Sequence, residues 1–156
     1  MLLEGLLNRG FEEDTYWGYS GGALRLPGGG HAGAWRGSVV KRSGFLGFPS
    51  ILGEVQWPLE IGQPCRFSTW ANTEFAFGAV LRVSLLTLSG GLMSEVDVAP
   101  QGSANAWLFY PPVDLVPTEE RAQLRLLSTT CTVNRGWQLD DQTLEDKMPQ
   151  QNWAAI

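Results

Sequence analysis

The sequence contains little that would support catalysis, cross-linking or membrane insertion. It has one histidine, two cysteines and 17% charged residues in 156 positions, and no window approaches the roughly 18 apolar residues of a membrane span. His31 has no nearby Ser–Asp or Cys partner, so a nucleophile–base pair is not indicated. Cys65 and Cys131 are too few for a disulfide scaffold and lack metal-site spacing. The sequence leaves two alternatives for these cysteines: two separate buried thiols, or one cross-strand disulfide.

Positive charge is also scarce. Eleven Lys and Arg oppose 16 Asp and Glu, which gives a net charge of −5, and no basic stripe could neutralise phosphates, so nucleic acid is not an expected partner. The segment 1–7 has neither a positively charged start nor a long apolar core. We therefore expect no secretion signal and no membrane partner.

Glycine, proline and aromatic residues are plentiful and favour an all-β fold. Nineteen Gly, nine Pro and 11% aromatics suit many short strands joined by tight turns. The longest β-type run, 77–88, predicts a central strand, with a bulge near Leu86 where the alternation breaks. Charges alternating with Val96 and Val98 predict an edge strand. A chain of this length fits one domain with its own core.

Three motifs carry a family resemblance. The chain has Asn-x-Gly-Phe-Glu at 8–12, Pro-Leu-x-x-Gly at 58–62 followed by a strand ending in Trp70, and Asp-Asp at 140–141. From Leu6 to Leu144 this pattern resembles the carbohydrate-binding-module type of jelly roll among the galactose-binding-like β-sandwiches. The resemblance implies a sandwich of two antiparallel sheets over residues 8–145, with an arm at 1–7 and a tail at 146–156. It indicates fold more strongly than function, because this sandwich serves sugar binders, enzyme accessories and virion components.

The aromatic residues suggest a sugar-binding surface. Trp17 and Tyr19 lie in a polar loop, where flat rings could stack on the C–H faces of pyranoses. The resemblance adds Trp70, whose strand can line the concave, glycan-binding face in the family. For Trp17 and Trp70 a place in the core is an open alternative.

The carboxylates suggest a structural ion site rather than catalysis. The resemblance implies Ca²⁺ held by Glu12 and by Asp140 or Asp141, with carbonyls near 31–33, and Ca²⁺ prefers six to eight oxygen ligands. A glycosidase pair is not favoured, because these acids are expected at an edge rather than across a cleft. The sequence holds no other nucleophile, base or metal constellation, so we expect no enzyme.

Apolar residues near both ends and two phenylalanines of the 43–50 loop predict assembly contacts, although an arm packed on its own sandwich and burial of the two rings are open alternatives. The candidate contact residues are Leu2, Leu3, Leu6, Leu7, Phe45, Phe48, Trp153 and Ile156. Symmetric assemblies use such arms to join neighbouring subunits. The main hypothesis is therefore a structural virion protein, a capsid decoration or tail component made in the host cytoplasm and bound to other protein subunits. The alternative hypothesis is a module that binds surface glycans.

Overall fold

The computed structural model describes residues 3–146, with side chains defined for 4–145. All regular secondary structure in this part of the chain is β, and eleven strands form two antiparallel sheets packed face to face. The strands are β1 (Leu3–Glu4), β2 (Gly18–Ser20), β3 (Leu24–Pro27), β4 (Trp35–Val40), β5 (Ser50–Glu54), β6 (Cys65–Asn72), β7 (Val80–Leu86), β8 (Leu92–Val98), β9 (Trp107–Leu115), β10 (Gln123–Thr129) and β11 (Gly136–Asp146).

The first sheet, called the front sheet below, has the order β3-β4-β11-β6-β9, and β1 pairs with the last residues of β11. The second, the back sheet, has the order β2-β5-β10-β7-β8. The predicted all-β sandwich is confirmed. The predicted interior strand is β7, the edge strand is β8, and their register shifts between Leu85 and Leu86, where the bulge was expected. No helix in the described residues is long and apolar enough to cross a membrane.

The core lies between the sheets because the strands alternate buried and less buried residues. On β6, Cys65, Phe67, Thr69 and Ala71 are buried. The residues that alternate with them, Arg66, Ser68 and Trp70, are half-buried. This period of two places one set of side chains in the core and the other on the outer face of the front sheet. Cys65 and Cys131 are both buried, and their thiols donate to the carbonyls of Leu115 and Ser128.

Trp137 of β11 occupies the centre of this core. It is fully buried, its indole N–H donates to the Ala79 carbonyl at 3.3 Å, and its ring lies 5.1 Å from that of Tyr110. A buried indole needs such a partner, because an unpaired donor in the core costs about 1–3 kcal/mol.

An irregularity in β11 shapes one end of the front sheet. The register against β6 shifts between Asp140 and Thr143, and Asp141 has a φ of 49°. The Gln142 side chain turns into the interior, where its amide donates to the Arg9 carbonyl at 2.6 Å and accepts from the Asp140 N–H at 3.3 Å. β11 thereby holds the first motif, which contains Arg9.

The N-terminal segment packs on its own sandwich over the residues described. β1 pairs with β11, Gly5 N–H donates to the Leu144 carbonyl at 2.8 Å, and Leu6 is buried in the core. The prediction of Leu6 as an assembly contact is therefore wrong, because its side chain is already covered by this chain. Leu2, Trp153 and Ile156 lie outside the described residues, and so does the side chain of Leu3.

Candidate functional site

The outer face of the front sheet carries aromatic and polar side chains from four strands. Trp70 of β6 is opposite Phe109 of β9, and Asn72 is opposite Trp107. On the other side of β6, Asn72 is opposite Gln138 of β11. Since side chains on one face recur every second residue, the register aligns these groups across the sheet.

Two adjoining cavities lie on this face, with volumes of about 510 and 170 Å³. Both are lined by Phe75 and Gln138, so they are neighbours, and together they are called the trough below. The remaining lining residues are Leu26, Ser38, Val40, Arg42, Val133, Asn134 and Arg135 in the larger cavity and Gly29, Arg36, Asn72, Glu74, Asn105 and Trp107 in the smaller.

Hydrogen bonds hold the polar groups of the smaller cavity in place. Arg36 Nε donates to Gln138 Oε1 at 2.5 Å, and Asn72 Nδ2 donates to Asn105 Oδ1 at 2.8 Å. The Trp107 indole N–H donates to the Gly29 carbonyl at 2.9 Å. These contacts orient the side chains before any ligand arrives, which reduces the entropy cost of binding.

Trp70 lies on this face, as predicted, but it is not an open stacking platform. The His31 ring stacks on it with centroids 3.7 Å apart and an interplanar angle of 12°. Phe109 lies at 5.6 Å from Trp70. One face of the indole is therefore covered. Phe75 and Phe109 supply the more accessible rings of this surface, whereas Trp107 is half-buried, like Trp70.

Trp17 and Tyr19 are not on this surface. Trp17 is only 5% exposed, packs against Phe11 and Tyr16, and donates its N–H to the Asn8 carbonyl. The predicted role of Trp17 as a sugar-stacking ring is wrong, because its ring is covered by the core, whereas that of Tyr19 stays a prediction. Tyr19 is half-buried on β2 of the back sheet, and burial raises the pKa of its hydroxyl to about 12.

The sequence did not single out Trp107, Phe75 or the arginines as site residues. A signal for Trp107 exists, because Trp107 and Phe109 are two residues apart on a strand and thus share a face. Which face they share depends on the β6–β9 register, and the register shift between Phe67 and Thr69 is not visible in the sequence.

The three predicted metal-site carboxylates meet at one end of the front sheet, around the turn at 28–34. Glu12 accepts the N–H groups of Ala34 at 2.8 Å and Trp35 at 3.0 Å. Asp140 accepts the His31 N–H at 2.7 Å. Asp141 lies 2.8 Å from His31 Nδ1. Burial, and then the neighbouring Asp141, raise the pKa of Asp140 to about 6.

Three oxygen atoms lie close to Gly30, around the point where a side chain would begin. A methyl group added to Gly30 would lie 2.7 Å from the Trp35 carbonyl, 2.9 Å from Asp140 Oδ2 and 3.0 Å from the Gly33 carbonyl. A mixed set of carboxylate and carbonyl oxygens is what Ca²⁺ prefers. A methyl group added to Gly33 would collide with the carboxylate of Glu12.

The ligands that would hold such an ion are Glu12, Asp140 and the carbonyls of Gly33 and Trp35. Both Asp140 and Asp141 already have partners in this chain, since Asp140 accepts the His31 and Asp141 N–H groups and Asp141 lies beside His31 Nδ1. Within residues 3–146, no group of three or more His, Cys, Asp or Glu side chains could hold a metal. Calcium binding here would therefore depend on the carbonyls, and it stays a prediction.

The predicted assembly residues Leu7, Phe45 and Phe48 are exposed. Phe45 and Phe48 flank Leu46, which is 97% exposed, in the loop after β4. This group, the 45–48 loop, is a concentrated apolar feature that the sequence identified in part, since Leu46 was missed.

No family model and no curated protein matches the chain, whereas solved structures do. TmCBM61 in complex with β-1,4-galactotriose matches with a TM-score of 0.64 and 20% identity over 93% of this chain and 99% of that one. The arabinose-bound MgGH51 α-L-arabinofuranosidase matches with a TM-score of 0.65 and 17% identity over 90% of this chain. The enzymatically active domain of bacteriophage CBA120 tailspike protein 4 matches with 0.64 and 16% over 90%.

The chain spans 26% of the arabinofuranosidase and 21% of the tailspike chain, but nearly all of TmCBM61. At these identities the similarity is one of fold. The chain therefore has the β-sandwich fold of the carbohydrate-binding modules.

Proposed function

We propose that this protein is a non-catalytic module that binds glycans on the outer face of the front sheet. The observation that carries the proposal is the trough of two cavities there, in which accessible rings lie beside oriented hydrogen-bonding groups. Phe75 and Trp107 offer apolar faces, and Arg36, Asn72 and Gln138 offer donors and acceptors.

This combination matches the chemistry of a sugar ring. A pyranose has a C–H face that loses little on leaving water and can lie on a rigid aromatic ring. Its hydroxyls must be paired when they are buried, because an unpaired polar group costs free energy. A ligand site that is mostly apolar with a few placed polar groups is the usual arrangement for small ligands.

The solved structures guide the choice of first ligands. One of the matching structures holds β-1,4-galactotriose and another holds arabinose. Soluble galactan and arabinan are therefore the first neutral polysaccharides to test, followed by xylan and mixed-linkage β-glucan.

Native affinity electrophoresis with these polysaccharides in the gel tests the proposal. We expect retarded migration of the wild-type protein in at least one gel, and a loss of affinity of about fivefold for Trp107→Ala and for Phe75→Ala, since each removes a ring–sugar contact worth about 1 kcal/mol. Trp57→Ala is the matched control, because Trp57 is also exposed but does not line the trough.

Wild-type protein that migrates normally in every gel, acidic polysaccharides included, would refute glycan binding. Retardation that Trp57→Ala weakens as much as Trp107→Ala would place the site elsewhere on the molecule.

A second candidate is the structural virion protein expected from the sequence. Two observations favour it. The structure of a bacteriophage tailspike domain matches 90% of this chain, and the 45–48 loop exposes three large apolar side chains. Contiguous exposed apolar residues are typical of protein contact surfaces.

Mass determination by light scattering tests this second candidate. We expect an oligomer for the wild-type chain and a monomer when Phe45, Leu46 and Phe48 are all replaced by Ser. Phe77→Ser is the control, because Phe77 is 78% exposed at another place on the surface. A wild-type chain that is monomeric at every concentration would remove the support from self-assembly.

A further inference from the structure

The arginines of this chain divide into two groups. Five of the nine form ion pairs with carboxylates, and four form none within residues 3–146: Arg25, Arg36, Arg42 and Arg135. Arg25 lies over the Trp35 ring at 3.6 Å and donates to the carbonyls of Phe11 and Glu12. The other three all line the trough on the front sheet.

The positive charge of these three arginines is not compensated by acidic side chains. Arg36 donates to neutral acceptors, namely the carbonyls of Pro27 and Gly28 and the side chain of Gln138. Arg42 has a buried Nε without a hydrogen-bond partner in the described part of the chain. No Asp or Glu is among the described lining residues of the larger cavity, and Glu74 is the acid that lines the smaller one.

Backbone hydrogen bonds fix the walls of the larger cavity. Lys41 N–H donates to the Arg135 carbonyl at 2.8 Å, and Asn134 N–H donates to the Lys41 carbonyl at 2.7 Å. These two bonds join the segment of Arg42 to that of Arg135. Gly136 N–H donates to the Phe75 carbonyl at 2.8 Å and brings the ring to the same cavity. Charge and apolar surface are thus held together by the main chain.

Such a cavity suits a ligand that has both a ring face and an oxyanion. Uncompensated guanidinium groups in a protein of net charge −5 are an unusual local arrangement, and guanidinium forks match the geometry of carboxylates and other oxyanions. Leu26, Val40 and Phe75 provide the apolar surface on which a sugar ring can lie. A neutral sugar would leave the positive charge around the larger cavity without an ionic partner.

We propose that the glycan is acidic and that Arg42 and Arg135 bind its anionic group in the larger cavity, an inference that rests on the proposed glycan-binding function. The shared chemistry is an oxyanion on a sugar ring, carried by a uronate carboxylate or by a sulfate ester. Arg36, in the smaller cavity, adds to the positive electrostatic potential of the trough.

Paired polymers that differ in the anionic group test the inference. Affinity gels contain polygalacturonate, alginate or dextran sulfate, and the matched gels contain carboxyl-reduced polygalacturonate, carboxyl-reduced alginate or dextran. We expect wild-type protein to bind at least one acidic polymer about tenfold more tightly than its neutral counterpart, with affinity that falls as KCl is raised. Retention on a uronate or on the sulfate polymer alone identifies which oxyanion is used.

Charge-matched variants locate the site. We expect Arg42→Gln and Arg135→Gln each to lower the affinity for the acidic polymer at least fivefold and to reduce the preference over its neutral counterpart. Arg121→Gln is the control, because it removes the same charge at an ion pair with Glu54 away from the trough. Arg135 is exposed, so Arg135→Gln keeps the test valid even if Arg42→Gln fails to fold.

The two proposals fail in different ways. Wild-type protein that binds galactan, arabinan, xylan or β-glucan but no acidic polymer would overturn the acidic ligand and leave glycan binding intact. Acidic binding that Arg121→Gln weakens as much as Arg42→Gln and Arg135→Gln would overturn the assignment to the larger cavity. Binding to none of the polysaccharides would refute glycan binding itself.

Discussion

Asp140 is a single residue at which burial and charge act in the same direction. Its carboxyl is buried, Asp141 is its neighbour, and its pKa is raised from 3.8 to about 6. A raised pKa means that the fold favours the neutral acid. Its contribution to stability is therefore complete below about pH 4 and is lost as the pH rises through about 6.

Comparison of wild type with Asp140→Asn in the presence of a chelator measures this effect. Between pH 4.5 and pH 7 we expect wild type to lose more stability in urea unfolding than Asp140→Asn, because the amide does not ionise. Groups that titrate in both proteins cancel in the difference. Equal pH dependence of the two proteins would contradict the raised pKa.

At Gly37 the absence of a side chain makes room for the ring of Phe11. A Cβ at Gly37 would lie 2.5 Å from a ring carbon of the fully buried Phe11. We expect Gly37→Ala to destabilise the protein by about 1–3 kcal/mol, because overpacking forces neighbouring groups to move. Gly102→Ala is the control, since no atom lies within 4 Å of its added Cβ. Equal urea midpoints for the two variants would show that the ring moves aside without cost.

Residue-scale prediction from sequence succeeded where alternation decides and failed where a loop does. The resemblance suggested Trp70 for the glycan-binding face with a core position left open, and the period of two on β6 puts it on the outer face. Trp17 lies in a polar loop whose composition is the same whether the ring plugs the core or faces solvent. Arg36, Arg42 and Arg135 come from separate segments, and their common surface follows from pairings that the sequence does not show.

Among the elements, β11 connects the trough on the front sheet with the N-terminal segment. It lies between β4 and β6, carries Gln138 in the trough, and then shifts register after Asp140. The sequence showed the Asp-Asp motif at 140–141 but not the register shift that follows Asp140. In the structure the Gln142 amide turns inward at this shift and reaches the Arg9 carbonyl.

Gln142→Leu tests the role of that amide. We expect a loss of about 1 kcal/mol in urea unfolding, toward the lower end of the range for a lost buried hydrogen bond, since the Arg9 carbonyl keeps its bond from the Gln142 N–H at 3.2 Å. Gln101→Leu, in an exposed loop, is the control. A Gln142→Leu protein as stable as wild type would show that an aliphatic residue serves equally well in this register.

At the scale of the whole molecule, the predicted calcium ligands join three parts of the chain that are distant in sequence. Glu12 ends the first motif, Gly33 lies in the turn before β4 and Trp35 begins β4, and Asp140 belongs to β11. An ion bound to the folded chain alone stabilises it by about 2.7 kcal/mol at a concentration 100 times Kd. For a domain of this size, that corresponds to a rise in Tm of roughly 5–10 °C.

We therefore expect Ca²⁺ added to chelator-treated protein to raise Tm by several degrees, and Mg²⁺ at the same concentration to raise it less, because Mg²⁺ demands a tighter octahedral geometry. Glu12→Gln should reduce the shift, whereas Glu119→Gln, at an exposed position before β10, should keep it. Calcium would also oppose the loss of stability caused by Asp140 above pH 6, since a cation favours the ionised carboxylate. A Tm that is the same in chelator and in Ca²⁺ would mean that backbone N–H groups and His31 alone satisfy these carboxylates, and that this sandwich holds its N-terminal segment without an ion.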